Sequence, residues 1–155
     1  MPGYKGHIIG GSVTYLIILQ LVKSFQPTVF MLIQGFIFCI LGSLFPDVDI
    51  KSKGQNIFYT LALVTLCYFL YCQRTDLFIG LSLLVFTPLL VKHRGLFHKV
   101  WFLILISLIM GITIDSFHAT SSNLAIKNAL FFLAGALSHI ILDRVNTRLK
   151  YWFVI

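Results

Sequence analysis

Six apolar segments separated by short polar turns are the feature that most restricts the fold of this chain. The segments are Ile8–Val22, Thr28–Phe45, Ile57–Cys72, Leu77–Val91, Val100–Ile114 and Leu124–Leu142. Only 11% of the residues are charged and 58% are hydrophobic, whereas about 25% of the residues in a soluble domain are charged. The pattern predicts an all-α integral membrane protein, a bundle of about six short transmembrane helices, with residues 1–155 forming a single polytopic membrane domain.

Several of these segments are shorter than the roughly 20 residues that cross a ~30 Å hydrocarbon core. Flanking residues would extend them, or the bilayer would thin locally. A short segment could instead be re-entrant, and Leu77–Val91 is the first candidate because it contains Gly80 and Pro88.

The basic residues divide unequally between the two ends of the six segments. Nine lie at the end shared by the two termini: Lys5, Lys51, Lys53, Lys92, Arg94, Lys99, Arg144, Arg148 and Lys150. Three, Lys23, Arg74 and Lys127, lie at the opposite end. Because cytoplasmic loops carry the excess of Lys and Arg, both termini are predicted to be cytoplasmic. In a bacterium the protein would lie in the inner (plasma) membrane.

The net charge of +7 is therefore interpreted as contact with the anionic lipids of the inner leaflet, which are the expected partners. A nucleic-acid partner is not expected, because the chain has no long basic stripe and no aromatic platform. The sequence indicates no oligomeric state.

Histidines and aspartates collect at the end of the segments that the charges assign to the cytoplasm. The chain has no glutamate, and "VKHRGLFHKV" places two histidines around an Arg-Gly pair between apolar runs. His139 and Asp143 stand four residues apart, so a helix puts both on one face. Seven candidates share this end: His7, Asp47, Asp49, His93, His98, His139 and Asp143. The opposite end has Asp76, Asp115 and His118.

Imidazole and carboxylate groups together bind Zn²⁺, Mn²⁺ or Fe²⁺, and oxygen-rich sites bind Mg²⁺. Seven groups exceed the three or four protein ligands of one catalytic zinc, so some would orient ligand histidines or a second ion would bind. Zinc is the first expectation for the cofactor, with Mn, Fe or Mg as the alternatives. Taken singly, the aspartates after Pro46 could cap a solvated turn and the two-histidine turn could bind lipid phosphates. Their convergence at one end favours a shared metal site.

Four motifs in this order resemble the YdjM-like family of inner-membrane (LexA-regulated type) predicted metal-dependent hydrolases. They are "KGHIIGG", "LFPDVDI", "HRGLFH" and "GALSHIILD", and they cover most of the chain. The resemblance implies a multi-span inner-membrane protein, a divalent-metal site made by the same seven residues, and a hydrolytic activity on an undefined substrate. One departure is Phe97-His98-Lys99, where the family commonly has Thr-His-Ser, so two hydroxyls are lost while the imidazole stays.

The resulting hypothesis is a membrane-bound metal-dependent hydrolase whose site lies at the cytoplasmic interface. Asp49 or Asp143 would act as base or orienter, and the planar fork of Arg94 would hold a phosphate oxyanion. The nearby basic residues favour a phosphate-bearing lipid or lipid-linked substrate, cleaved by metal-activated water. The alternative is a non-catalytic or metal-transporting membrane protein with a structural or transport His/Asp site.

Overall fold

The computed structural model describes residues 3–21, 27–48, 51–90, 96–117 and 122–152, and these form six α-helices and no strand. The helices are α1 (Tyr4–Leu21), α2 (Val29–Leu44), α3 (Lys53–Tyr71), α4 (Thr75–Leu90), α5 (Val100–Phe117) and α6 (Ser122–Trp152). Two 3₁₀ turns, Phe45–Asp47 and Leu96–His98, follow α2 and precede α5. The all-helical prediction is confirmed for this part of the chain.

Helix α2 ends at Leu44 because Pro46 follows. A proline has no backbone N–H, so it cannot bond to the carbonyl four residues before it. The Gly42 carbonyl accepts instead from the N–H of Phe45, and the chain tightens into the 3₁₀ turn that carries Asp47. The last carbonyls of α2 are thereby left for partners outside the helix.

Two predicted segments differ in extent from the helices observed. The last apolar segment ends at Leu142, but α6 continues to Trp152, because loss of hydropathy marks the end of a span and not the end of a helix. The segment suspected of being re-entrant is part of one continuous helix, α4, with Pro88 in its last turn.

The closest helix packing is between α2 and α6, with α5 on α6 and α1 on both α2 and α6. Glycines permit it: a Cβ on Gly42 would collide with the Phe132 carbonyl, and a Cβ on Gly135 would collide with the Cys39 carbonyl. Backbones in such contact have no room for a side chain between them. Gly42 and Gly135 therefore allow the backbones of α2 and α6 to touch.

An aromatic core lies where the 3₁₀ turns meet α5 and α6. The Phe45 ring contacts the rings of Phe58, Phe97 and Phe132 edge-on, with centroids 5.3–5.8 Å apart. Edge-to-face pairs of this kind add to the gain from burial. The core holds both 3₁₀ turns, and so Asp47 and His98, against α6.

By length and apolar content, two helical stretches among the described residues could cross a membrane, Val29–Asp47 and Leu124–Thr147. Val100–Thr113 is apolar but shorter. All six helices nevertheless expose large apolar side chains, for example Leu16, Leu63 and Ile112 at 59–70%. A water-soluble monomer rarely leaves apolar surface exposed on this scale. The count of six spans stays a prediction.

The α2–α6 contact predicts which glycines cannot be replaced. Gly42→Ala and Gly135→Ala would force two backbones apart and should lower the free energy of unfolding by about 1–3 kcal/mol, the usual cost of overpacking. The measurement is a denaturation curve in detergent micelles. Gly80→Ala is the matched control, because a Cβ there meets nothing within 4 Å and alanine favours a helix by about 1 kcal/mol. Equal stability of all three variants would contradict the packing described.

Candidate metal centre

His139 lies at the middle of a cluster of ionisable side chains and is fully buried. Its Nδ1 is 2.7 Å from the carbonyl oxygen of Ser43, in the last turn of α2. A carbonyl can only accept, so Nδ1 carries the proton and donates it. In the neutral ring, Nε2 then keeps its lone pair and is directed toward the cluster. A histidine that binds a metal is oriented in this way by a carbonyl or carboxylate behind it.

Two carboxylates converge on that nitrogen from different elements. Asp47 Oδ1, from the 3₁₀ turn after α2, is 3.5 Å from His139 Nε2. Asp143 Oδ2, one turn further along α6, is 3.7 Å from it. The prediction that His139 and Asp143 share a helical face is confirmed, and the turn at Pro46 brings Asp47 to the same point.

Two further imidazoles complete the cluster. His98 Nε2, from the turn before α5, is 3.9 Å from both Asp47 Oδ1 and Asp143 Oδ2. His7 Nε2, from the first turn of α1, is 3.6 Å from Asp143 Oδ1. The His7 ring is stacked on that of His139, with centroids 3.7 Å apart and planes 13° apart. Four separate elements therefore supply the five side chains.

These distances fit metal ligands better than hydrogen bonds. N–H···O bonds are usually about 2.7–3.2 Å long, and all five contacts exceed that. With bonds of about 2.0–2.1 Å, two ligand atoms of a tetrahedral zinc site lie roughly 3.3–3.4 Å apart, slightly less than the 3.5–3.9 Å measured. Asp47 Oδ1, His139 Nε2 and Asp143 Oδ1 are buried without a hydrogen-bond partner among the described residues. A cation would satisfy all three atoms.

The five residues form two overlapping sets of three. One set is His7, His139 and Asp143, the other is Asp47, His98 and His139, and within each set the ligand atoms lie within 4.8 Å of one another. Both sets contain His139, which has a single free lone pair and can bind only one ion. A second ion would therefore need ligands other than His139, and a carboxylate, which has two oxygens, could serve both ions.

Two members of the cluster are fully buried and three are partly exposed. His7 and His139 are 1% and 0% exposed, whereas Asp143, His98 and Asp47 are 13%, 16% and 19% exposed. The two stacked imidazoles are therefore inaccessible, and the other three side chains are partly exposed, although both ring nitrogens of His98, Asp47 Oδ1 and Asp143 Oδ1 are buried. Lys51, Lys53 and Lys99 are exposed near the same ends of the helices.

Three predicted site residues, Asp49, His93 and Arg94, lie outside the described residues. The other five predicted ligands are brought together. Their role as ligands, and the roles assigned to Asp49, Asp143 and Arg94, stay predictions.

Two contributions to the site were not predicted from the sequence. The Ser43 carbonyl is a backbone group. The one feature of the sequence that could have pointed to it is Pro46, because this proline ends α2 at Leu44. Tyr4 was also missed: Lys53 Nζ lies 3.3 Å from its hydroxyl and 4.7 Å from its ring centroid. This pair joins the starts of α1 and α3, with Tyr4 three residues before His7 on α1.

A family model described as YdjM inner membrane protein matches residues 1–153. The match includes the four motifs and confirms the resemblance that they indicated. Its description places these proteins in the inner membrane and states no reaction. No curated protein and no solved structure matches the chain.

If Asp47 is a ligand in this centre, zinc should stabilise the wild-type fold and should not stabilise an Asp47→Asn variant. At about 100 times its dissociation constant, an ion bound only to the folded state raises the free energy of unfolding by about 2.7 kcal/mol. Wild-type protein in micelles should show a zinc-dependent rise in melting temperature, and Asp47→Asn should show little or none. Asp115→Asn, placed by the sequence at the other end, is the control. A rise in melting temperature of the same size in Asp47→Asn would show that Asp47 does not bind the ion.

Proposed function

The chain belongs to the YdjM inner membrane protein family, and from this premise we propose that it is a metal-dependent hydrolase acting at the cytoplasmic face of that membrane. Its substrate is a phosphate-bearing lipid or lipid-linked molecule. The observation that carries the proposal is the cluster of three imidazoles and two carboxylates, in which His7 and His139 are buried and Asp47, His98 and Asp143 are partly exposed.

His7, Asp47, His98, His139 and Asp143 would hold the metal, with His93 as a further ligand or supporting group. When bound, a divalent ion supplies a Lewis acid that polarises a phosphoryl oxygen and makes nearby water more acidic. Zinc suits this set of nitrogen and oxygen ligands, and Mn²⁺ or Fe²⁺ accepts the same groups.

Asp143 is better suited to positioning than to proton transfer. Its Oδ1 is buried and faces His7, and its Oδ2 faces both His98 and His139, so in this proposal both oxygens serve the metal centre. Asp49, two residues after Asp47, is therefore the proton acceptor in this proposal. A carboxylate needs to lie within hydrogen-bond reach of the water that it deprotonates.

The reaction is the hydrolysis of a phosphate ester. Water oxygen forms a bond to phosphorus, its proton passes to Asp49, and the bond from phosphorus to the lipid oxygen breaks. That oxygen takes up a proton, returned by Asp49 or supplied by solvent water, and leaves as an alcohol. Arg94 would hold two phosphate oxygens in its planar fork. The carbonyl of Ser43 keeps the His139 ring in position throughout.

The site's position favours a lipid substrate. Exposed Lys51, Lys53 and Lys99 give the surroundings a positive potential that attracts anionic headgroups. We place all six helices across the membrane with both termini in the cytoplasm, as one polytopic domain. The nine-to-three division of basic residues and the exposed apolar side chains of every helix support this arrangement.

The two alternative functions have less support. A structural metal site is normally closed, whereas three members of this cluster are partly exposed. A transport path needs ligands near the middle of the membrane. The polar pair described deeper in the bundle is Asn128 and Gln34, whose amides are 3.4 Å apart and bonded to each other.

The proposal predicts metal-dependent release of phosphate from a lipid phosphomonoester. Purified protein in mixed micelles with phosphatidic acid or a polyprenyl monophosphate should release inorganic phosphate when Zn²⁺, Mn²⁺ or Mg²⁺ is supplied. Asp49→Asn should lower kcat by roughly 10²-fold or more, as removal of a general base does, while the protein keeps its metal. Colorimetric phosphate release and metal content, measured on the same samples, test both statements.

The matched control is His118→Ala, which removes a histidine assigned to the other end and should leave the rate unchanged. Equal rates in wild type and Asp49→Asn would exclude Asp49 as the base. Phosphate release that continues after the metal has been removed by a chelator would contradict the metal-dependent mechanism itself.

A further inference from the structure

An elongated cavity of about 660 Å³ separates the α3–α4 pair from the rest of the bundle. Helix α3 packs on α4 and on the 3₁₀ turn Phe45–Asp47, and along its remaining length it borders the cavity. The opposite wall is made by α2, α5 and α6, with Leu41, Ile106 and Phe132 among its residues. The cavity is therefore a groove between two parts of the fold.

The groove is long. On α3 its lining begins at Gly54 and ends at Phe69, which corresponds to about 22 Å at 1.5 Å per residue. One leaflet supplies about half of a ~30 Å hydrocarbon core. A chain filling the groove from the end nearest the metal centre would pass beyond the middle of the membrane.

The groove is apolar and open along its side. Its two threonine hydroxyls donate to carbonyls of their own helices, Thr65 to Leu61 and Thr113 to Ile109, at 2.8 Å. Both hydroxyls therefore donate within their own helices and need no polar ligand. Lining residues Leu61 and Ile109 are each 46% exposed, so an occupant can enter sideways from the bilayer.

The shape of the groove suits a long hydrocarbon chain. It extends along α3 from Gly54 to Phe69, and its lining is mostly apolar.

One end of the groove adjoins the metal centre. Phe45 lines the groove and belongs to the same 3₁₀ turn as Asp47. Gly54, the first lining residue on α3, follows the exposed Lys53. A molecule with its tail in the groove would present its headgroup to basic side chains and to the His/Asp cluster.

We infer that the groove binds the tail of the substrate, and that the substrate is a lipid monophosphate with one tail longer than a leaflet, of the polyprenyl type. The inference rests on the proposed function, because the metal centre gives the phosphate its position. The tail determines which lipids reach the centre, and the headgroup determines what is hydrolysed.

Photolabelling tests this inference. The probe is a polyprenyl monophosphate with a benzophenone at the end of its tail, added to purified full-length protein in micelles, and labelled peptides are mapped by mass spectrometry. Labels are expected at the far end of the groove, around Tyr68, Phe69 and Leu77. Gly80→Phe would fill the groove, since a Cβ there meets nothing within 4 Å. It should lower labelling by roughly tenfold or more, because displaced methylene groups lose their burial.

The matched control is Ile79→Phe, which adds the same ring to the outer face of α4, where Ile79 is 58% exposed. The probe should label Ile79→Phe to the same extent as the wild type. Equal labelling of the wild type and both variants would overturn the inference. So would equal labelling by the corresponding polyprenol without phosphate, or displacement of the probe by phosphatidic acid as effectively as by unlabelled polyprenyl monophosphate.

Metal content of the same samples separates this inference from the proposed function. Gly80→Phe should keep the metal of the wild type, because Gly80 lies on α4, away from the cluster. If the wild type holds no metal but labels in the groove only with the phosphate probe, the metal-dependent function fails and the tail site stands. If metal is bound and the groove does not label, the tail site fails alone.

Discussion

The site depends on the close approach of α2 and α6. Glycine at 42 and 135 lets the two backbones touch, and this contact brings the last turn of α2 within hydrogen-bond reach of His139. The Ser43 carbonyl then sets which nitrogen of that ring faces the cluster, and the turn at Pro46 places Asp47 opposite it. Packing, tautomer and carboxylate position are thus consequences of one helix contact, and the aromatic core around Phe45 keeps it in place.

Buried ionisable groups are costly at a membrane boundary unless they have partners. Here three imidazoles face two carboxylates at distances longer than hydrogen bonds, an arrangement that gains most of its stabilisation when a cation lies between them. The exposed lysines outside and the apolar groove beside the cluster suit the two halves of an amphiphile. Charge, cavity shape and ligand chemistry are the three features on which we base the proposed substrate.

Much of the site could be predicted from the sequence, because its signals are local. The i, i+4 spacing of His139 and Asp143 places both on one helical face, and alternation of short helices brings His7, Asp47 and His98 to the same end. The contribution of Ser43 could not be predicted, because every residue has a backbone carbonyl. This one is available to His139 only because α2 ends at Leu44. The length of α6 was missed because polar helical turns beyond Leu142 lack the apolar pattern. The groove could not be foreseen either, since it is a gap between α3 and helices distant in sequence.

The central claim is that these side chains form one metal centre. The direct test is metal content, by plasma mass spectrometry, of protein purified without chelators, for wild type, His139→Ala and His118→Ala. A near-stoichiometric divalent metal is expected in the wild type and in His118→Ala. It should be absent from His139→Ala, with helicity by circular dichroism unchanged. A wild type that binds no Zn, Mn, Fe or Mg after reconstitution would contradict the account, as would a His139→Ala variant that keeps its metal.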